Sequence, residues 1–193
     1  MINSYSEVNG LGHKALEKLF EGEVIVDEKI DGSQFSFGII DGKLRCRSKG
    51  KQQNDETDVV DDMFKPAVAT AESLQLLLNP NWKYRCEFLG KPKHNVLCYS
   101  RVPKDNLIVY DIDTGDQCYL SPKDKKAECD RIGLECVPLF ASPPNLTVDG
   151  FAALVEDESC LGGTKIEGVV IKNYAQFGRD KKVVMGKYVS EAF

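Results

Sequence analysis

No two cysteines in this 193-residue chain stand at Cys-x-x-Cys spacing, and only His13 and His94 could assist them as metal ligands. That excludes a zinc ribbon, which needs four soft ligands at close spacing. The seven cysteines, at positions 46, 86, 98, 118, 129, 136 and 160, are odd in number and unpatterned, which argues against a disulfide framework and for a reducing compartment. Cys86, Cys98 and Cys118 fall in strand-like contexts and read as small buried hydrophobes. Long apolar runs are lacking too. Nothing approaches the roughly 20 residues that span a bilayer, and the opening MINSYSEVNG has neither the basic start nor the apolar centre of a signal peptide. A cytoplasmic protein without a membrane contact is expected. Positive charge is in deficit, with 25 Lys and Arg against 30 Asp and Glu, a net charge of -5. A general coat for nucleic acid is thereby disfavoured, because affinity for polyanions comes from neutralising phosphates. Repeats, low-complexity tracts and domain-sized linkers are also missing. The remaining composition, 42% hydrophobic and 28% charged, suits one soluble globular domain with a substantial core.

The most informative stretch is VDEKIDGSQFSFG. Val24, Ile25 and Val26 lead into Lys29, the pair Asp31-Gly32 follows, and the alternating residues Gln34 to Ile39 carry the chain away. This pattern predicts a strand ending at a lysine, then a tight turn in which Gly32 can adopt φ > 0. A deprotonated amine held there is a nucleophile. Asp31 is expected to serve turn geometry. Alternation places Glu28 and Ile30 on the opposite face from Lys29.

The periodicities predict a helix over 13–20, strands over 23–29, 34–40 and 43–48, and a strong Asp41-Gly42 hairpin turn. Residues 49–57 read as a polar loop. A helical region covers 58–78, where Pro66 breaks it, kinks it or starts its second half. Strands are expected over 82–89 and 106–112. Ser121 caps a helix that has Pro122 at its first position and ends at Gly133. Residues 142–145 read as a linker turn, Thr147 caps a helix to about 157, and strands over 166–173 and 182–189 close the chain. Strands dominate and helices are interspersed irregularly, which predicts an α+β fold with largely antiparallel sheets. Two basic clusters stand out against the acidic background: Arg45, Arg47, Lys49 and Lys51, and then Arg179, Lys181 and Lys182. Glu167 precedes Gly168 and the apolar run Val169-Val170-Ile171; a carboxylate beside such a strand is costly unless it is paired or binds metal.

KIDGS resembles the nucleotide-accepting Lys-x-Asp-Gly motif of the covalent nucleotidyltransferases, the ATP-dependent DNA and RNA ligases and the mRNA capping enzymes. Later motifs of that superfamily are matched in order by Glu87-Phe88-Leu89-Gly90, by Leu107 to Ile112, by Glu167 to Lys172 and by Val183 to Val189. Gln34 stands where capping enzymes and DNA ligases usually place arginine. Together with Lys91 to Asn95, it makes the chain most similar to the RNA ligase 2-type enzymes of phages. The resemblance implies two largely antiparallel sheets with flanking helices and a nucleotide cleft between them, an ATP-grasp-like adenylyltransferase. It is read here as one nucleotidyltransferase domain over 1–193, without a C-terminal accessory domain.

The resemblance also implies an activity. Lys29 would take AMP from ATP, pass it to a 5′-phosphate end and so allow a 3′-hydroxyl to complete the phosphodiester. Glu87 would bind the ribose, Tyr110 would stack on adenine or simply fill the core, and Glu28 and Ile30 would flank the nucleophile. Lys172 and Lys187 would face the α-phosphate, Arg47 would contact phosphates or the nucleic-acid end, and Glu167 would hold Mg²⁺ or Mn²⁺. RNA ends or nicks are the expected partner, with DNA or an RNA–DNA hybrid as the alternative, and the protein is expected to be a monomer, in the phage case acting in the host cytoplasm. Met185 departs from the Lys-x-Lys of the last motif. The competing readings are a DNA ligase or mRNA guanylyltransferase on the same fold, and a nucleotide- or nucleic-acid-binding domain without sealing activity.

Overall fold

The computed structural model describes residues 1–54, 59–140, 147–191 and 193. In chain order the strands are β1 (Val8–Gly10), β2 (Ile25–Lys29), β3 (Ser33–Ile40), β4 (Lys43–Ser48), β5 (Lys83–Phe88) and β6 (Leu107–Gly115). There follow β7 (Cys118–Tyr119), β8 (Glu135–Cys136), β9 (Leu139–Phe140), β10 (Gly168–Phe177) and β11 (Val183–Val189). Among the described residues three α-helices accompany them, α1 (Lys65–Leu74), α2 (Pro122–Ile132) and α3 (Val148–Leu154). The architecture is α+β, and the chain divides into two compact units, each with its own sheet.

The first unit comprises Met1–Tyr5, Gly32–His94 and Val102–Cys136. Its sheet runs β4-β3-β5-β6-β7, with β8 paired in parallel to β6 and every other pairing antiparallel. Asp41 (φ 52°) and Gly42 (φ 75°) both take positive φ, the conformation a two-residue hairpin turn requires, and they join β3 to β4 as their sequence predicts. One sheet face is apolar: Phe35, Phe37, Cys46, Tyr84, Cys86 and Phe88 pack with Ala67, Val68 and Ala71 of α1 and Cys129 and Ile132 of α2. Pro66 begins α1, so the helical region is shorter than its polarity pattern predicts and opens with a 3₁₀ turn at Asp62–Phe64. Both ends of α2 match the sequence reading. Ser121 Oγ accepts the Asp124 N–H at 3.1 Å, and Gly133 (φ 81°) closes the helix. The N-terminal segment belongs to this unit: Tyr5 donates to the Asp111 carboxylate, and Asn3 accepts two bonds from the buried Arg85 guanidinium at 2.9 Å.

The second unit comprises Ser6–Asp31, Asn95–Arg101 and Val137–Phe193. Its sheet runs β1-β11-β10-β2-β9, antiparallel except where β1 lies parallel to β11. Val26, Val169, Ile171 and Val184 form its apolar face with Leu16, Leu19, Phe151 and Val155. The helix expected over 13–20 is a single 3₁₀ turn at Lys14–Leu16, which still buries Leu16 and Leu19 but leaves Phe20 exposed. Thr147 caps α3 as expected. The linker turn assigned to 142–145 lies outside the described residues, as do positions 55–57 of the polar loop.

Two expectations need correction. Asp31-Gly32 is not a hairpin turn: β2 and β3 belong to different sheets, and Gly32 does not take a positive φ. Glycine is needed there for space, since a Cβ would lie 3.0 Å from Glu87 Cβ, Leu89 Cδ1 and the Phe88 carbonyl oxygen. Cys98 and Cys118 are exposed, Cys98 in a loop and Cys118 opening the two-residue β7, so only Cys86 of that group is a core residue. Glu87 lies inside β5, within the strand expected over 82–89.

Gly168 is the tightest point of the second sheet. A Cβ there would come within 2.2 Å of the Tyr188 carbonyl oxygen and 2.9 Å of Val189 Cα, both backbone atoms with little freedom to move. Gly168→Ala is therefore expected to force β10 and β11 apart and destabilise the fold by about 1–3 kcal/mol. Urea denaturation checks this, and an unchanged midpoint would contradict it.

Candidate active site

In the second unit, strand alternation and register bring four of the expected residues onto one sheet face. Lys29 ends β2 opposite Gly168 of β10, while Val170 faces Asp27 on one side and Lys187 of β11 on the other. Lys172 lies opposite Met185. Asp27, Lys29, Lys172, Met185 and Lys187 thus share the face opposite Val26, Val169 and Ile171. Glu167, one residue ahead of β10, completes the group: its Oε1 lies 2.6 Å from Lys29 Nζ, with the glutamate side chain 5% and the lysine side chain 25% exposed.

The other Glu167 oxygen, Oε2, is buried and forms no hydrogen bond among the described residues. Burial pushes the Glu167 carboxyl above its ordinary value. Lys29 opposes that shift, Asp31 adds to it and Lys187 offsets it weakly. The orphan oxygen has the chemistry a hard divalent cation seeks. No group of three or more His, Cys, Asp and Glu side chains that could enclose a metal occurs among the described residues. A Mg²⁺ or Mn²⁺ ion at Glu167 would thus share its coordination with substrate phosphates and water, the usual habit of Mg²⁺.

Asp27 was not singled out by sequence. Its Oδ2 lies 2.7 Å from Lys172 Nζ, with both side chains 1% exposed. Removing one partner of such a pair generally costs about 3–5 kcal/mol. The i, i+2 relation to Lys29 was the available signal. Glu28, on the reverse face as alternation predicts, is 2% exposed; it accepts from Ser159 Oγ at 2.5 Å and from the Cys160 N–H at 3.1 Å. Ile30 is buried. Asp31 does far more than shape a turn. Its carboxylate accepts the N–H groups of Val96 and Leu97, each at 2.8 Å, and Asn95 Nδ2 at 3.2 Å, while its own N–H donates to Tyr99 Oη at 2.8 Å. The acid thereby clamps the 95–101 loop beside the strand that ends at Lys29. No local pattern announces partners more than sixty residues away.

The first unit carries the remaining three. Arg47 of β4 lies opposite Ser36, Ser36 lies opposite Arg85, and Glu87 of β5 lies opposite Gln34, all on the sheet face away from the Phe35–Phe37 core. Arg47 Nε is buried without a hydrogen-bond partner among the described residues. Glu87 is half-buried. Tyr110 occupies a bulge between the pairs Arg85↔Asp111 and Cys86↔Val109. The residue is 9% exposed, and its ring meets that of Tyr5 edge-on at 5.0 Å. Burial first, and then Glu87, push the Tyr110 phenol well above its ordinary range. His94, from the motif-bearing loop, accepts the Gly90 N–H at Nδ1 (3.2 Å), which leaves Nε2–H to donate to Ser33 Oγ at 2.9 Å.

The site is thus a two-sheet α+β fold that pairs a lysine at a strand end with a buried acid. The RNA ligase family model matches residues 22–189, and the chain belongs to that family. A search of curated proteins finds no match. Among solved structures, the chain is similar to the Naegleria gruberi RNA ligase. An Asp-to-Ala mutant of that enzyme without ligand superposes with a TM-score of 0.73 at 18% identity, and a Lys-to-Ala mutant with ATP and Mn with 0.71 at 18%. A Glu-to-Ala mutant with AMP and Mn gives 0.71 at 19%. In each case 98% of this chain is covered but only 56% of the Naegleria chain, so this chain spans little more than half the length of these relatives. At that identity the likeness establishes the fold.

The raised Glu167 carboxyl has a consequence for stability. Glutamate in the unfolded chain titrates near 4.5, below the folded value, so as pH rises the unfolded state gives up its proton first and stability is lost through the folded-state value. The stability gained by Glu167→Gln relative to the native residue should therefore be larger at about pH 7 than at about pH 4. Urea titrations at the two pH values check this, and a gain that shrinks with pH would contradict it.

Proposed function

We propose that this protein is an ATP-dependent RNA ligase in which Lys29 carries the nucleotide. The single observation that supports this best is the Lys29–Glu167 pair, held in register within a chain of the RNA ligase family, with one glutamate oxygen left for a cation. The Naegleria enzyme's solved structures with ATP or AMP and Mn favour the same substrate and metal here.

In the first step the Lys29 Nζ lone pair attacks the α-phosphorus of ATP. A P–N bond forms, the bond to the bridging oxygen breaks, and pyrophosphate leaves with that electron pair. The amine must shed a proton, and the Glu167 carboxylate at 2.6 Å is the group placed to receive it or to orient the amine. Glu167 would hold a Mg²⁺ or Mn²⁺ ion, which would supply charge neutralisation on the phosphates. Lys172 and Lys187, on the same face, neutralise the α-phosphate. Asp27 holds Lys172 in place, and Met185 contributes bulk where relatives of the phage type offer a further cation. Glu87 takes the ribose hydroxyls, Arg47 the phosphates or the strand end, and Tyr110 the adenine. The AMP then passes to a 5′-phosphate end and is displaced by a 3′-hydroxyl. RNA is the proposed substrate, with DNA ligation as the alternative on the same residues.

Incubation with labelled ATP should give labelled protein in Mg²⁺ or Mn²⁺ and none in EDTA, and GTP should not substitute. Lys29→Arg should fail as fully as Lys29→Ala, because a guanidinium is not deprotonated to become a nucleophile. Glu167→Ala should slow labelling by about 10²-fold or more. Labelling that persists in EDTA or in Lys29→Ala would overturn the proposal.

A further inference from the structure

The second unit contains a cavity of about 660 Å³ that the proposed chemistry does not use. It lies where the β10–β11 hairpin meets the 3₁₀ segment after β1. Its floor is apolar, built from Val183, Val184 and Met185, and its rim carries Lys14 from the 3₁₀ segment, Lys18 just after it, and Arg179 and Lys182 from the hairpin turn. Phe177 also lines it, 48% exposed although it sits in a strand.

The hairpin turn that presents these groups is well fixed. Gly178 N–H donates to the Lys182 carbonyl at 2.8 Å, Lys181 N–H to the Gly178 carbonyl at 3.0 Å, and Asp180 Oδ1 accepts the Lys182 N–H at 3.1 Å. Lys14, Lys18 and Arg179 form no ion pair within 4 Å among the described residues. Two further acids, Glu7 and Glu17, line the same space, so the cavity is not a plain anion hole. It offers separate cations, separate acceptors and an exposed ring.

We propose that this cavity binds a nucleotide unit of a single-stranded RNA, upstream or downstream of the reacting end. The inference rests on the RNA-ligase reading and adds to it a substrate-binding site away from Lys29. Cations and carboxylates of both signs line the space, so a ligand that offers both phosphates and hydrogen-bond donors uses more of it than a lone phosphate does. A nucleotide suits the mixture: Lys18 and Arg179 meet its phosphates, the acids accept from base amino groups, and Phe177 gives the base a stacking face. The location is consistent with this role. Met185 in the cavity floor pairs with Lys172, four strand positions from the Gly168 that faces Lys29, or about 13 Å along the sheet. That separation assigns the cavity to a neighbouring part of a bound strand and not to the atoms joined to Lys29.

The test uses the full chain and a 5′-phosphorylated single-stranded RNA oligonucleotide, with affinity read by fluorescence anisotropy over a range of salt. Lys18→Glu/Arg179→Glu should weaken binding by at least about tenfold and flatten the dependence of log affinity on log salt by about one to two contacts. Phe177→Ala should weaken binding by about tenfold with the salt slope unchanged. Both variants should take up AMP from ATP at the native rate. RNA affinity within about twofold of native in both variants would overturn the proposal. So would a loss confined to the charge reversal, which would mark a diffuse basic patch without a base site. If the native chain binds RNA in this way yet takes up no AMP, the Lys29 reading fails while the cavity stands.

Discussion

A carboxylate removed from water is tolerated only where something compensates it, and Glu167 is compensated on one oxygen alone. Lys29 supplies that partner at 2.6 Å, and the second oxygen is buried without a hydrogen bond among the described residues. The arrangement follows from strand pairing. The antiparallel register of β2 and β10 sets Lys29 opposite Gly168, and the close approach of the Tyr188 carbonyl permits nothing larger than glycine there. The residue immediately before that glycine is thereby delivered to the lysine. One steric requirement in the sheet fixes one electrostatic pair.

The same face contains a second pair of a different kind. Asp27 and Lys172 are both 1% exposed, so their charges are retained in a place where apolar packing would serve stability equally well or better. Lys172 is thus held by the strand that bears Lys29. Behind the sheet, Glu28 is tied to Ser159 and Cys160, and past the strand end Asp31 is tied to residues 95–97. Three buried acids stand next to Lys29 in sequence, at positions 27, 28 and 31, each with its own partner.

Local chemistry was legible in the sequence wherever a residue acts on its near neighbours. Alternation placed Glu28 and Lys29 on opposite faces, Asp41-Gly42 announced its hairpin, and Ser121, Pro122 and Gly133 marked both ends of α2. The ordered motifs gave the family and the α+β class. What escaped detection depends on distant pairing. The strands β1, β7, β8 and β9 are two or three residues long, too short for a period to show, and exist because a neighbouring strand offers hydrogen bonds. The Asp31-Gly32 step reads as a turn by composition, yet the chain there leaves one sheet for another, a fact held only in the pairing partners of β2 and β3. Tyr110 stands at a bulge that its aliphatic neighbours do not signal.

The central claim is that the amine of Lys29, and no other, forms the covalent bond to the nucleotide. The direct measurement is peptide-resolved mass spectrometry of the protein after incubation with ATP and Mg²⁺. The account predicts a single AMP adduct on the peptide containing Lys29, lost in acid and stable in alkali as a phosphoramidate should be. An adduct located on Lys172 or Lys187, or an unmodified Lys29 in protein that nevertheless joins RNA, would contradict it.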